Sequence, residues 1–269
     1  MKECLQKQGI ICYEKRLCMK DERVLAQCNL FGILGAIPTL LELDPAARRL
    51  VKKKKISIGF VVKEGPSATL SFENGYADLT EGVEKCSIKL PFSSCQKFNG
   101  MIDGTVTPIP TAGFWHAGFL LGPFKKLTDL LTKYLRPSPE DLEDPEFFER
   151  STTLMLHVIA GAIAEVGNWD KVGRFSASNI VNGTVKIGIG EDLAVGIRAK
   201  DHHLTAFHEA PEESFSEMVF DSFQTARDLF DGKINAIAAV GMGNVRIAGM
   251  VSQVDNVNRI LDRVALYLQ

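Results

Sequence analysis

The sequence predicts an α+β protein built from two repeated domains, each a mostly antiparallel sheet covered by helices on one face. Three observations predict it. Landmarks recur at a steady interval: Phe98-Asn99-Gly100-Met101-Ile102 with Phe230-Asp231-Gly232-Lys233-Ile234, Ala117-Gly118 with Ala248-Gly249, and Tyr134-Leu135 with Tyr267-Leu268, at offsets of 131 to 133 residues. Further upstream, Gly35-Ala36-Ile37 matches Gly161-Ala162-Ile163 and Asp44 matches Asp170, both 126 residues apart. Between these landmarks lie short β-prone segments separated by turn residues, once in each half. A repeat of this length reads as a duplication, and small loop insertions account for the drift in offset.

Length and composition agree. A chain of 269 residues suits two domains of ordinary size, and 45% hydrophobic with 24% charged residues describes a soluble globular protein. The formal charge of −2 gives no global basic field for nucleic acid. The boundary is expected near residue 138. Pro137, Pro139 and Pro145 lie there among Glu140, Asp141, Glu143, Asp144 and Glu146, and proline with like charge opposes packing, so 136–149 reads as a linker between domains 1–138 and 139–269.

Residues 24–43 are apolar enough to suggest a membrane span. Gln27, Asn29, Glu42 and Pro38 interrupt them, and Leu30, Leu34, Ile37 and Leu41 share one helical face, which predicts a buried helix. Its counterpart at 153–169 carries Met155, Ile159, Ile163 and Val166 on one face. Strands are expected at 56–62, 68–72, 77–80 and 86–90, and again at 185–189, 194–199, 204–207 and 216–220. Asn74-Gly75 marks a hairpin, so each set reads as an antiparallel meander.

A helix follows each set, at 93–98 closed by Gly100 and at 223–230 closed by Gly232. The second half then offers an apolar segment, 234–240, a last strand, 245–250, and a last helix with Val254, Val257, Leu261, Val264 and Leu268 in one stripe. In the first half Pro108 and Pro110 break the apolar segment, and Phe124, Leu127, Leu131 and Leu135 mark the closing helix.

Few residues invite chemistry. Cys4, Cys12, Cys18, Cys28, Cys86 and Cys95 include no close CxxC pair, so free thiols in a reducing cytoplasm are expected. The opening Met1-Lys2-Glu3-Cys4 lacks the long apolar core of a secretory signal, which also favours a cytoplasmic protein. Asp201-His202-His203 with His208-Glu209 could bring His203 and His208 together across a turn, but a solvated hairpin is the expectation there and no metal site is predicted. Gly188-Ile189-Gly190 and Gly241-Met242-Gly243 do not complete a dinucleotide fingerprint, and no GxSxG elbow occurs. Lys52-Lys53-Lys54-Lys55 reads as a solvated strand entrance that could also meet anionic headgroups, and Phe114, Trp115, Phe119 and Phe124 read as core or as a pocket wall.

The order of elements in the second half, carried by Asp228-Leu229-Phe230-Asp231-Gly232-Lys233-Ile234, Gly243-Asn244-Val245-Arg246-Ile247-Ala248-Gly249 and the helix from Val254, resembles the sterol-carrier-protein lipid-transfer domain over about residues 180–269. The first half matches less well, because of its prolines and Phe114-Trp115-His116. The resemblance implies an apolar tunnel between sheet and helices, a fatty acid, acyl-CoA or sterol-like ligand, and neither catalysis nor cofactor. Periodicity places Phe223, Phe230, Val245, Ile247, Val257, Leu261 and Val264 around that space. The expected function is non-enzymatic binding or transfer of a hydrophobic ligand, with no nucleic-acid partner and no integral span. The alternative is an interaction or dimerisation module that kept the fold without a ligand, and a homodimer is compatible with either.

Overall fold

The structure, a computed structural model, describes residues 20–234 and 236–268. It holds two sheets of the same plan. In the first half a long helix, α1 (Glu22–Leu43), and a short one, α2 (Pro45–Val51), precede β1 (Lys55–Val62), β2 (Ser67–Glu73), β3 (Tyr76–Glu81) and β4 (Ile88–Phe92). Then come α3 (Cys95–Ile102), an irregular stretch, and α4 (Lys125–Leu135). The second half repeats this with α5 (Pro145–Trp169), α6 (Lys171–Ala177), β5 (Gly183–Ile189), β6 (Leu193–Lys200), β7 (His203–Phe207) and β8 (Ser216–Phe220). It closes with α7 (Phe223–Phe230), α8 (Ala236–Gly241), β9 (Val245–Gly249) and α9 (Val251–Leu268).

The strand orders are β3-β2-β1-β4 and β7-β6-β5-β8-β9. The fourth strand of each set is not part of a meander. β4 runs parallel to β1, with Ile58 opposite Ile88, and β8 runs parallel to β5, with Ile187 opposite Met218. The sheets are therefore mixed. After three antiparallel strands the first strand has a free edge, and the returning chain fills it.

The same residue types shape both halves. Asp44 caps α2 by accepting from the Ala46 amide at 2.6 Å, and Asp170 caps α6 by accepting from Val172 and Gly173, both at 2.9 Å. The closing helix of each half returns a tyrosine to that cap: the Tyr134 hydroxyl donates to Asp44 at 3.3 Å and the Tyr267 hydroxyl to Asp170 at 2.7 Å. Ser94 and Ser222 cap α3 and α7 in the same manner. Gly232 ends α7 with φ +69°, a conformation that a Cβ would strain.

Two further sequence expectations are corrected, the end of α3 and the length of the linker. α3 runs through Gly100 to Ile102 and ends in a turn at Gly104, φ +72°. The linker is shorter than residues 136–149, because α5 begins at Pro145 under an Asp144 cap. Proline has no amide to lose in a first turn and is at home there. Among the described residues no fifth strand joins the first sheet: Ala112 meets Lys89 in a single bridge, since Pro108 and Pro110 lack the amides that a ladder needs.

α1 is long and apolar enough to cross a membrane, and 78% of its apolar window is buried inside the fold. It contains a π-helical turn, Cys28–Ile33, and a 3₁₀ turn, Leu34–Ala36. This irregular stretch lies flat against α5. The two helices cross at glycines: a β-carbon on Gly161 would lie 2.9 Å from the Phe31 carbonyl oxygen and 3.0 Å from Cα of Gly32. The halves also exchange core residues. Val24 and Cys28 of α1 sit in the core of the second sheet, and Leu154 and Val158 of α5 sit in the core of the first.

Glu165 of α5 lies in this central layer. Burial, and then the nearby charge of Glu81, push its carboxyl up to about 7, against a hydrogen bond with Trp169 that lowers it. The unfolded chain releases that proton near the ordinary carboxylate range, at about pH 4. Between there and about pH 7 the folded state holds a proton that the unfolded state has lost, so stability falls as pH rises across this window. Glu165→Gln is therefore expected to leave the melting temperature near the parent value at about pH 4 and to raise it at about pH 8. Thermal melts of both proteins at the two pH values check this, and an equal shift at both would contradict it.

Candidate hydrophobic ligand site

α9 is amphipathic because its apolar residues fall at alternating intervals of three and four. Val254, Val257, Ile260, Val264 and Tyr267 are buried. α7, α8 and the middle of α5 stand beside it. These four helices do not close completely. Between them lies a cavity of about 490 Å³. α9 contributes Asn258, Leu261, Val264 and Leu268; α7 and the following turn contribute Leu229, Phe230 and Ile234; α5 contributes Met155, Val158 and Ile159. Ile33 of α1 and Leu135 of α4 complete the wall from the first half. Such a volume is ordinary for a small-molecule site.

Polar groups gather at one part of the wall: Arg136, Asp231, Asp262 and Asn258. Burial raises the Asp262 carboxyl above its ordinary value. Asp231 is already engaged, by Arg227 at 3.0 Å and Lys233 at 3.0 Å. A second cavity of about 190 Å³ lies on the far side of Asn258, under Met218, Phe220, Val245, Ile247 and Val254. Leu229, Ala236 and Asn258 line both spaces and form the partition between them. The Asn258 side-chain oxygen is buried without a hydrogen-bond partner. An unsatisfied buried acceptor costs about 1–3 kcal/mol, which a ligand donor would relieve.

Of the residues singled out in the sequence, Phe230, Leu261 and Val264 line the larger cavity, and Val245 and Ile247 line the smaller. Val257 is fully buried in the core, and Phe223 packs against the edge of that core; neither lines these two cavities. Periodicity missed Met155, Ile159, Ile33 and Leu135, because they reach the wall from distant segments. Phe119 and Phe124 are core of the first half, packed edge-on against Phe72, while Phe114 and Trp115 point to solvent.

His203 and His208 are not brought together. His208 stacks on His157 of α5, with their Nδ1 atoms 2.7 Å apart. Burial, then His208, pushes His157 down to about 3, and burial lowers His208 as well. The two neutral rings share one N–H···N bond that fastens the edge of the second sheet to α5. Cys28 is buried, and Cys86 and Cys95 are partly buried free thiols; burial pushes Cys28 well above the ordinary thiol range. Cys4, Cys12 and Cys18 lie outside the described residues.

The class defined by these features is an α+β protein in which amphipathic helices standing on a mixed sheet enclose an apolar cavity. Part of the chain is similar in fold to solved structures. The sterol carrier protein domain 2 of Helicoverpa armigera is 16% identical, with a TM-score of 0.34 over 41% of this chain and 88% of that one. Sterol carrier protein 2 from Yarrowia lipolytica, in its apo form, is 16% identical, with a TM-score of 0.31 over 40% and 91%. The ubiquinone synthesis protein UbiJ-SCP2 is 12% identical, with a TM-score of 0.32 over 40% and 96%. No protein-family model and no curated protein sequence matches the chain.

Proposed function

We propose that the protein is a non-enzymatic carrier that binds an amphipathic lipid in the cavity under α9. The observation that carries this reading is the cavity itself: about 490 Å³ with walls of Leu, Ile, Val, Met and Phe and its polar groups confined to Arg136, Asp231, Asp262 and Asn258. Burying a lipid tail stabilises the complex by about 0.8 kcal/mol per methylene, before the cost of association. The polar part of the wall suits a head group: Arg136 suits a carboxylate, and the unpartnered Asn258 oxygen favours a group that donates a hydrogen bond, such as a hydroxyl. The repeated caps Asp44–Tyr134 and Asp170–Tyr267 support a tandem duplication in which the second half, 139–269, supplies most of the ligand cavity and Ile33, Leu135 and Arg136 of the first half complete it. A cytoplasmic location belongs to the same proposal, and the free thiols of Cys28, Cys86 and Cys95 support it.

The test is organic extraction of the natively purified full chain, followed by mass spectrometry. A single class of hydroxylated or carboxylated lipid, near one per chain, is the expected result. An empty extract, together with failure to take up lipid added in solution, would overturn the proposal and leave the interaction module as the better account.

A further inference from the structure

The first half carries a surface that the cavity does not use. Between α3 and α4 the chain exposes four large apolar side chains in one short segment: Ile109 at 74%, Phe114 at 58%, Trp115 at 81% and Leu121 at 75%. From residue 104 to residue 128 there is no acidic residue, and Lys125, which pairs with Asp129 at 2.9 Å, and Lys126 follow the apolar group. α2 packs against Leu120–Phe124 and against α4, so this basic helix lies beside the segment; its Arg48 guanidinium sits over the Tyr76 ring. It carries Arg48 and Arg49 and leads into Lys52, Lys53, Lys54 and Lys55, with no acidic residue from 45 to 63. Lys55 is paired with Glu73, while Lys52, Lys53 and Lys54 are exposed.

The apolar segment is held in place. The Thr111 amide donates to the Lys89 carbonyl at 2.9 Å, and the Lys89 amide donates to Ala112 at 3.2 Å. Gly113, at φ +81°, sits so close to β4 that a β-carbon would lie 2.0 Å from the Ser87 carbonyl oxygen. The turn that follows places Phe114 and Trp115 outside.

We propose that residues 109–126, with the basic segment 48–54 beside them, dock on the surface of an anionic lipid bilayer. Tryptophan and phenylalanine suit the headgroup level, where an apolar ring meets water, and lysines around them meet anionic headgroups. The aromatic side chains alone would also suit a protein interface; the run Lys52-Lys53-Lys54 and Lys126 flanking them is what favours an anionic lipid surface. The basic character is local, since the chain as a whole carries a formal charge of −2. This docking does not depend on what fills the cavity.

The test uses the full chain with Trp169→Phe, which leaves Trp115 as the sole tryptophan, because the sequence has two. Vesicles of phosphatidylcholine alone and of phosphatidylcholine with phosphatidylglycerol are compared by flotation and by tryptophan emission. On anionic vesicles the protein is expected to float, its emission to shift to the blue, and brominated acyl chains to quench it. Replacing Lys52, Lys53 and Lys54 together with glutamine should weaken this partition by roughly a hundredfold. Trp115→Ala should weaken flotation, with an unchanged circular-dichroism melt showing that the fold is intact. Protein that stays unbound with unshifted emission would overturn the proposal, and so would equal binding to neutral vesicles. A concentration-dependent dimer lost in Trp115→Ala, without vesicle binding, would assign the face to a second copy of the chain.

Discussion

Gly161→Val is expected to lower the melting temperature by roughly 6–12 °C, from a loss of about 3 kcal/mol. The reason is geometric. A β-carbon at Gly161 meets backbone, the Phe31 carbonyl oxygen and the Gly32 α-carbon, and backbone cannot step aside as a flexible side chain can. α1 and α5 would have to separate. That separation loosens both cores, because Val24 and Cys28 cross one way and Leu154 and Val158 the other. The β-branched side chain adds little helix stability to offset the clash. A thermal melt by circular dichroism checks this. A melting temperature unchanged or raised would mean that the helices do not meet at these glycines.

A loss of about 2–3 kcal/mol is expected for Arg227→Ala. Arg227 is almost fully buried in α7, where its Nε donates to Asp231 at 3.0 Å and its Nη1 to the Ser151 hydroxyl at 2.8 Å. Ser151 in turn donates to the Tyr134 carbonyl oxygen at 2.6 Å. This chain of bonds joins α7 to α5 and α5 to the last turn of α4, so it ties the second half to the first. Lys233 keeps Asp231 paired when the arginine is removed, which holds the cost below that of stranding a buried carboxylate. A double-mutant cycle with Ser151→Ala, followed by urea denaturation, should return a coupling of about 1 kcal/mol or more. Additive effects would show that the bridge contributes nothing.

The parts of this fold readable from the sequence are those fixed by local periodicity. The short β-prone segments at 185–189 and 194–199 and the stripe of α9 are local signals, and the corresponding elements form where expected. Strand direction is not local. The parallel pairing of β4 with β1 and β8 with β5 depends on which sheet edge is free, and no residue in either strand records that. The interleaving of α1 and α5 was equally hidden: no local signal marks Gly32 and Gly161 as the place where the two backbones meet. For the cavity, a stripe on α9 pointed to Leu261 and Val264, but it also pointed to Val257, which faces the core. Helical spacing of three and four defines a buried side without saying whether side chains or empty space lie opposite it. The histidines teach the same lesson, since His208 found a partner 51 residues earlier in the chain.

The most direct test of the carrier reading is Leu261→Trp, measured by displacement of a fluorescent fatty acid and by thermal melt on the same samples. Leu261 is only partly buried and faces the larger cavity, so an indole there occupies the space proposed for the lipid tail without entering the packed core. The account predicts that the parent protein binds the probe, that the variant binds it at least about tenfold more weakly, and that the two melt together. Absence of probe binding in the parent, with a variant that melts well below it, would contradict the account: the space beneath α9 would then be core that tolerates no ligand.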